Sequence, residues 1–206
     1  MLVHAGKLAK ILGFSTNLPS CAVWAPGLPG FSNWWDVWDW PKRQLTFRTE
    51  MEVNEFLHGI KAKAEQAGVF GNVELVSDTM LRCAAAHSAE PAWYRIERDG
   101  ERWHVALVTP NRWLSESIES DLLHTGDPLE ELIEEEMVEL GLSNGPLPVQ
   151  HYRSDDMLYT FRSPLPISPD NGTDLNTAVD IAARCLLAYE AAFRELGDMN
   201  VEKEDS

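Results

Sequence analysis

The chain has 206 residues and a formal net charge of −16 at pH 7, with 44% hydrophobic and 24% charged residues. The length suits one globular domain with an additional segment, and the composition is that of an ordinary globular protein. So acidic a body repels nucleic-acid phosphates and anionic membranes, which argues against both and favours a basic partner, with solubility as the alternative reason for the charge.

The hydrophobic runs and the cysteines predict a cytoplasmic location. No apolar run approaches the roughly 18 residues of a membrane span, and Lys7 and Lys10 interrupt the region where a secretory signal needs continuous apolar residues. The three cysteines are odd in number and far apart, without a CxxC pair. This spacing argues against a disulfide framework and a zinc knuckle, and it suits a reducing compartment.

We interpret residues 1–48 as an extended arm, because they are rich in proline, glycine and tryptophan. Four tryptophans fall within seven residues of this arm: Trp34, Trp35, Trp38 and Trp40. Each ring can bury roughly 150–250 Å², and so much apolar area left in water would promote aggregation. We therefore expect the rings to be buried in a contact.

Several contacts would bury these rings. The arm could pack on the chain's own sheet or helices, where it would cover part of the sheet's second face. It could instead form a dimer or partner interface, since tryptophan is enriched at binding hot spots. A sugar-stacking platform and a membrane contact are further alternatives, although Asp36 and Asp39 oppose the last of these.

The first predicted helix covers residues 50–67. Thr49 and Glu52 form a capping box at its start, and Gly68 is a typical stop signal. One apolar stripe follows the helical period: Val53, Phe56, Leu57, Ile60 and Ala64.

Residues 73–86 predict one strand, bent near Ser77, and residues 93–108 predict a β-hairpin around Asp99-Gly100. A type I′ turn at this dipeptide would set Ile96 opposite Trp103. One face would then hold the apolar side chains Tyr94, Ile96, Trp103, Val105 and Leu107. His104 would lie opposite Arg95 on the other face, as a solvated surface residue.

Residues 111–124 favour one or two helical turns, with a strand as the alternative. A clearer helix over 127–140 has Asp127 as its predicted N-cap and Pro128 at the first helical position. The outer side of this helix is acidic, with Glu130, Glu131, Glu134, Glu135, Glu136 and Glu139.

A second predicted hairpin joins residues 149–152 and 157–161. The longest predicted helix, 174–197, has an apolar seam with alternating spacings of four and three residues. The element order α-β-β-β-α-β-β-α predicts an α+β fold, with an antiparallel sheet of about five strands and helices on one face. We expect three regions: the arm 1–48, a domain over 49–197 and a flexible acidic tail over 198–206.

The element order, size, acidity and long final helix of residues 49–197 resemble the type III secretion chaperone-like family, including its YbjN-type relatives, bacterial sensory-transduction regulators. No residue motif carries this resemblance. Members of the family are small acidic proteins, often homodimers, that bind polypeptides rather than catalyse reactions. The resemblance therefore implies a protein-binding function and a possible homodimer. The tryptophan-rich arm and the helical content of 112–140 depart from the family pattern.

No catalytic, cofactor or metal site is predicted. The sequence contains no GxSxG elbow, P-loop or GxGxxG motif, and no HxH or HExxH pair. Its neighbouring carboxylates share one wet helical face, whereas acid–base catalysis needs two carboxyls in different environments. An enzyme site assembled across loops stays open as an alternative.

We therefore expect a non-enzymatic, chaperone-like or regulatory module that captures a polypeptide through an aromatic surface with an acidic rim. The predicted apolar contacts are Trp34, Trp35, Trp38 and Trp40, and the predicted rim residues are Asp121, Glu131, Glu134 and Glu135. The alternative is a binder of small molecules or carbohydrates, with the tryptophans as stacking platforms and Asp36 and Asp39 as hydroxyl acceptors.

Overall fold

The computed structural model describes residues 50–167 and 173–200. This part of the chain has an α+β fold, as predicted. Its elements are α1 (Glu50–Ala67), β1 (Phe70–Ser77), β2 (Met80–Ala85), β3 (Trp93–Asp99), β4 (Arg102–Thr109), α2 (Arg112–Thr125), α3 (Leu129–Glu139), β5 (Gln150–Arg153), β6 (Tyr159–Pro164), α4 (Leu175–Arg194) and a 3₁₀ turn (Gly197–Met199). The predicted arm 1–48 and most of the predicted tail lie outside the described residues.

The strands form one antiparallel sheet of six strands in the order β1-β2-β3-β4-β6-β5. The prediction of about five strands was one short, because residues 73–86 contain a chain reversal instead of a bend. Ser77 pairs with Met80 across this reversal. The Ser77 Oγ atom accepts a hydrogen bond from the Thr79 backbone N–H at 3.2 Å, a side-chain turn contact that replaces a Gly or Asn signal.

The β3–β4 hairpin turns one residue later than predicted. Asp99 pairs with Arg102, and Gly100 is the first central residue of the turn, with a φ of +59°. This position of glycine is typical of a type II′ turn, whereas the predicted type I′ turn would require a positive φ at Asp99 as well. The predicted register was therefore wrong by two residues, and Ile96 pairs with Val105 instead of Trp103.

An even shift of register leaves every side chain on its predicted face. The apolar face of the hairpin is confirmed, since all five of its members are buried: Tyr94, Ile96, Trp103, Val105 and Leu107. The prediction for His104 was wrong, because this residue pairs with Glu97 and is only 9% exposed.

The segment before β5 forms two full helices. The Asn111 side chain caps α2 by accepting hydrogen bonds from the backbone N–H groups of Trp113 and Leu114. Helix α3 begins at Leu129, with Pro128 as an N-cap residue that makes no side-chain hydrogen bond. The predicted capping role of Asp127 was therefore wrong, because the extended backbone of Pro128 delays the start of the helix.

The four α-helices of the described residues lie on one side of the sheet. The rings of Phe193 in α4 and Phe161 in β6 are 5.3 Å apart, and the Tyr189 hydroxyl donates a hydrogen bond to Ser163 in β6. Helix α4 also contacts α1 and α3, so it forms the centre of the helical layer. This arrangement confirms the predicted packing of helices on one face of the sheet.

The other side of the sheet, which we call the helix-free face, has polar and aromatic side chains. Antiparallel register aligns them in rows across the strands. The rows are Glu74, Arg82, Arg95, Ala106, Arg162, Gln150; then Ala84, Trp93, Val108, Thr160, Tyr152; then Met80, Glu97, His104, Pro164.

Candidate functional site

The predicted apolar contacts Trp34, Trp35, Trp38 and Trp40 lie outside the described residues. The acidic rim can be located. Glu131, Glu134 and Glu135 lie on α3, whose opposite side is buried through Leu129, Ile133 and Met137. Glu131 and Glu135 are exposed, and Glu134 is half-buried. The sequence therefore placed three of the four rim residues on one helix surface.

Asp121 has a different position from the other predicted rim residues. It lies on α2, where its Oδ2 atom accepts a hydrogen bond from the Gly197 backbone N–H at 2.6 Å. This contact attaches the 3₁₀ turn after α4 to α2, and the two elements pack together. Asp121 is therefore engaged within the fold.

The outer side of α3, formed by Glu131, Glu134, Glu135 and Glu139, has no salt-bridge partner within residues 50–167 and 173–200. None of these glutamates forms a salt bridge, although many carboxylates elsewhere in the described residues do. Burial raises the pKa of Glu136, and the like charges of Glu139, Glu195 and Glu135 add to this effect. We call Glu131, Glu134, Glu135 and Glu139 the acidic surface of α3.

This acidic surface is unfavourable for the helix itself. Glu131 and Glu135, and likewise Glu135 and Glu139, are like charges at i, i+4 spacing. The last turn also has acidic instead of basic side chains, against the helix dipole. The helix forms because its apolar side is buried.

Some exposed apolar side chains accompany the acidic groups. Val138 is 53% exposed on α3, and on α2 Trp113 is 75% and Leu123 is 85% exposed. Trp113 was not among the predicted contact residues. The sequence does contain a signal for its exposure. Trp113 lies outside the apolar stripe of α2, whose buried members are Leu114 and Ile118.

The helix-free face contains charged side chains of low exposure, which the sequence analysis did not identify. The side chains of Arg95, Glu97 and Arg162 are 14%, 17% and 17% exposed. His104 lies beside them, and burial, followed by the charge of Arg162, lowers the pKa of its imidazole. The grouping depends on the pairing of β4 with β6, strands that are separated in the chain.

On this face, Arg82 and Arg162 each donate hydrogen bonds to side-chain oxygens and lie over an aromatic ring. We call them the outer arginines, because Arg95 lies between them in the sheet. Arg82 donates hydrogen bonds to Glu74, and its guanidinium lies 5.5 Å from the centre of the Trp93 ring. Arg162 makes corresponding contacts on the same face, towards the β5 edge of the sheet: to Asp99 at 3.0 Å, to Gln150 at 3.3 Å and to the Tyr152 ring at 5.4 Å.

One constellation resembles a hydrolase triad in composition. The Ser115 Oγ atom is 3.3 Å from the His151 Nε2 atom, and the His151 Nδ1 atom is 3.7 Å from a Glu119 carboxylate oxygen. Ser115 is only 1% exposed, so its hydroxyl is not accessible to a substrate. The His151 ring stacks on Phe161 at 3.9 Å. These contacts join β5 to α2 and give no reactive nucleophile.

The described residues also contain a groove and two buried cysteines. A groove of about 510 Å³ lies beside α1 and the start of α4, and its charged groups are paired, Lys63 with Asp180 at 2.9 Å and Arg184 with Asp180 at 2.6 Å. No group of three or more potential metal ligands occurs in this part of the chain.

Burial raises the pKa of the Cys83 and Cys185 thiols to about 12, which makes them unreactive.

None of the helices within 50–167 and 173–200 has both the length and the apolar character needed to cross a bilayer. Comparison of the chain with protein-family models, with curated proteins and with solved structures finds no match.

Proposed function

We propose that this protein is a non-enzymatic polypeptide-binding module, chaperone-like or regulatory, that captures a basic segment of its partner on the acidic surface of α3. The observation that carries the proposal is the unneutralised charge of this surface. A cluster of like charges that weakens its own helix is more easily explained if a partner of opposite charge covers it.

The dimensions of the surface favour a polypeptide over a small cation. Helix α3 has 11 residues, which corresponds to roughly 16 Å of helix length. Its carboxylates are distributed along this length, so one metal ion could contact only a few of them. A basic peptide segment could place several Lys or Arg side chains along the whole surface.

Val138 supports the proposal with an apolar contact. It follows Glu134 by four residues on the same helix, so the two side chains are neighbours. A partner segment with basic and apolar side chains would bury Val138 while its charges meet the carboxylates. Such complementarity accelerates association and selects the partner, while the apolar contact slows dissociation.

The resemblance to the type III secretion chaperone-like family belongs to the same proposal. The described residues contain a first helix, an antiparallel sheet interrupted by helices and a long final helix, which is compatible with that family's order. We also propose a cytoplasmic location, because Cys83 and Cys185 are free thiols and such thiols suit a reducing compartment.

The test compares three tagged full-length proteins in co-purification from the native cell. One is the wild type, and one has Glu131→Gln, Glu134→Gln and Glu135→Gln. The matched control neutralises three exposed carboxylates on other elements: Glu55→Gln, Glu90→Gln and Glu101→Gln. Both variants have the same net charge, so a difference between them reports the α3 surface itself.

We expect the wild type and the control to retain a basic protein that the α3 variant loses. With that partner purified, the α3 variant should associate about tenfold more slowly at low ionic strength, and the difference should shrink at high salt. Equal retention by the α3 variant and the control would show that α3 is not the contact surface.

A further inference from the structure

One row of side chains crosses the helix-free face from one edge of the sheet to the other: Glu74, Arg82, Arg95, Ala106, Arg162 and Gln150. It places three arginines on one face of a protein with a net charge of −16. Adjacent strands are about 4.8 Å apart, so Arg95 and Arg162 start about 10 Å apart on either side of Ala106. Their long side chains can both reach a group above Ala106.

Arg95 is the least satisfied member of this row. The outer arginines donate hydrogen bonds to carboxylate or amide oxygens. The nearest carboxylate to Arg95 is that of Glu97, whose oxygen is 4.0 Å from the guanidinium. This distance is beyond hydrogen-bond range. Glu97 is also 3.9 Å from Arg162, so one carboxylate forms long ion pairs with two guanidinium groups and is within hydrogen-bond range of neither.

The buried nitrogen atoms point to the same place. Within the described part of the chain, three buried side-chain nitrogens have no hydrogen-bond partner: Arg95 Nε, His104 Nδ1 and Arg162 Nε. All three residues belong to the helix-free face, with Arg95 and Arg162 in the row of Ala106 and His104 in the neighbouring row. Buried polar groups normally have partners, and the two arginine Nε–H groups, which can only donate, call for an acceptor that the described part of the chain does not provide.

The chemistry of the missing acceptor follows from the donors. A guanidinium offers five N–H groups in a planar fork and accepts none, and this fork matches the two oxygens of a carboxylate or phosphate. Burial lowers the pKa of Arg95, but an arginine keeps its charge in proteins. A desolvated cation is stabilised most by a group that is both an anion and a multiple acceptor.

We propose that the helix-free face binds an oxyanion, a carboxylate or phosphate group, whose oxygens accept hydrogen bonds from Arg95 and Arg162 above Ala106. Trp93 and Tyr152 form the apolar sides of the site, and Ala106, which is fully buried, forms its floor. The site lies on the side of the sheet opposite the helices, so it is separate from the acidic surface of α3 and does not depend on that surface's function.

The test is an NMR titration of the full chain with sodium phosphate and, separately, with sodium acetate, at constant ionic strength. We expect saturable shifts of the Arg95 Nε–H signal and the Ala106 and His104 amides. Two charge-assisted bidentate contacts suggest a Kd of about 1 mM. Shifts with phosphate alone would assign a phosphate ligand, whereas shifts with acetate and a short Asp/Glu peptide would assign a carboxylate.

Variants of Arg95 test whether its guanidinium donates the hydrogen bonds to the anion. Arg95→Gln should weaken binding at least about tenfold, and Arg95→Lys should restore only part of it, because an ammonium keeps the charge but loses the fork. The control is Arg112→Gln, on α2, whose side chain is 69% exposed; it should bind like the wild type. The proposal would be overturned by no saturable shift up to about 50 mM of either anion, or by unchanged binding in folded Arg95→Gln or Arg95→Lys.

Discussion

Individual polar residues of this protein differ most from their expected environments where strands from separate parts of the chain meet. His104 occupies an alternating outward position in β4, and such positions are usually solvated in an antiparallel sheet. Here its neighbours are Glu97 on one side and Pro164 on the other. His104 is only 9% exposed between them, so an outward position became a buried one.

Glu190 is another polar residue in an apolar environment. It is 6% exposed on α4, and burial raises its pKa, against the opposing effect of Arg194, whose Nη1 atom is 3.6 Å from the carboxylate. A raised pKa means that the folded protein binds this proton more tightly than the unfolded chain does. The stabilising effect is therefore complete below the ordinary pKa of glutamate and is lost as the pH rises through the raised value.

We predict that Glu190→Gln raises the melting temperature at pH 7, because it removes a buried charge while keeping the shape of the side chain. The gain should shrink as the pH falls towards roughly 4, where the wild-type carboxyl becomes protonated. Melting curves of both proteins between these pH values test the prediction, with the exposed Glu55→Gln as control. A lower melting temperature of Glu190→Gln at pH 7 would mean that the Arg194 contact outweighs the burial.

At the scale of elements, helix boundaries were predicted more closely than strand pairings. Helix α1 matches its predicted range, and α4 ends at Arg194, three residues before the predicted end. The errors in the strands fell on turns: the reversal after Ser77 and the one-residue delay at Gly100. Helices are specified by local periodicity and caps, whereas a turn is selected by the strands that it joins.

Helix α3 leads to a prediction that separates stability from binding. Replacing both Glu135 and Glu139 with glutamine removes two i, i+4 repulsions, that of Glu131 with Glu135 and that of Glu135 with Glu139. It also removes the last-turn charge of Glu139, which opposes the helix dipole. We expect the free energy of unfolding to rise by about 0.5 kcal/mol at low ionic strength. Urea unfolding measures this change, and the gain should decrease with added salt.

The control for this helix is Glu131→Gln. Glu131 lies in the first turn, where a negative charge interacts favourably with the dipole, so relief of its repulsion with Glu135 is offset. The expected change in stability is therefore smaller than that of the double variant. A loss of stability in the double variant would show that these glutamates support the helix.

At the scale of the whole molecule, the predicted burial of the tryptophan rings in residues 1–48 stays a prediction, because these residues lie outside the described part. Deleting residues 1–46 tests it. We expect a lower melting temperature or a changed oligomeric state, since four rings would bury on the order of 600–1000 Å² in total. Deleting only residues 1–30 is the control, because it keeps Trp34 to Trp40 in place. Unchanged melting, solubility and oligomeric state after the longer deletion would exclude the contact.

The sequence by itself determined the α+β class, the positions of the main helices, the inner face of the β3–β4 hairpin and the acidic surface of α3. These features depend on periodicity and charge within one segment, which act locally. Only the tertiary structure decided that β4 pairs with β6, and this pairing brings Arg162 beside Ala106 and Arg95. No local pattern encodes which distant strand becomes a neighbour, because strand pairing is settled by the packing of the complete sheet against its helices.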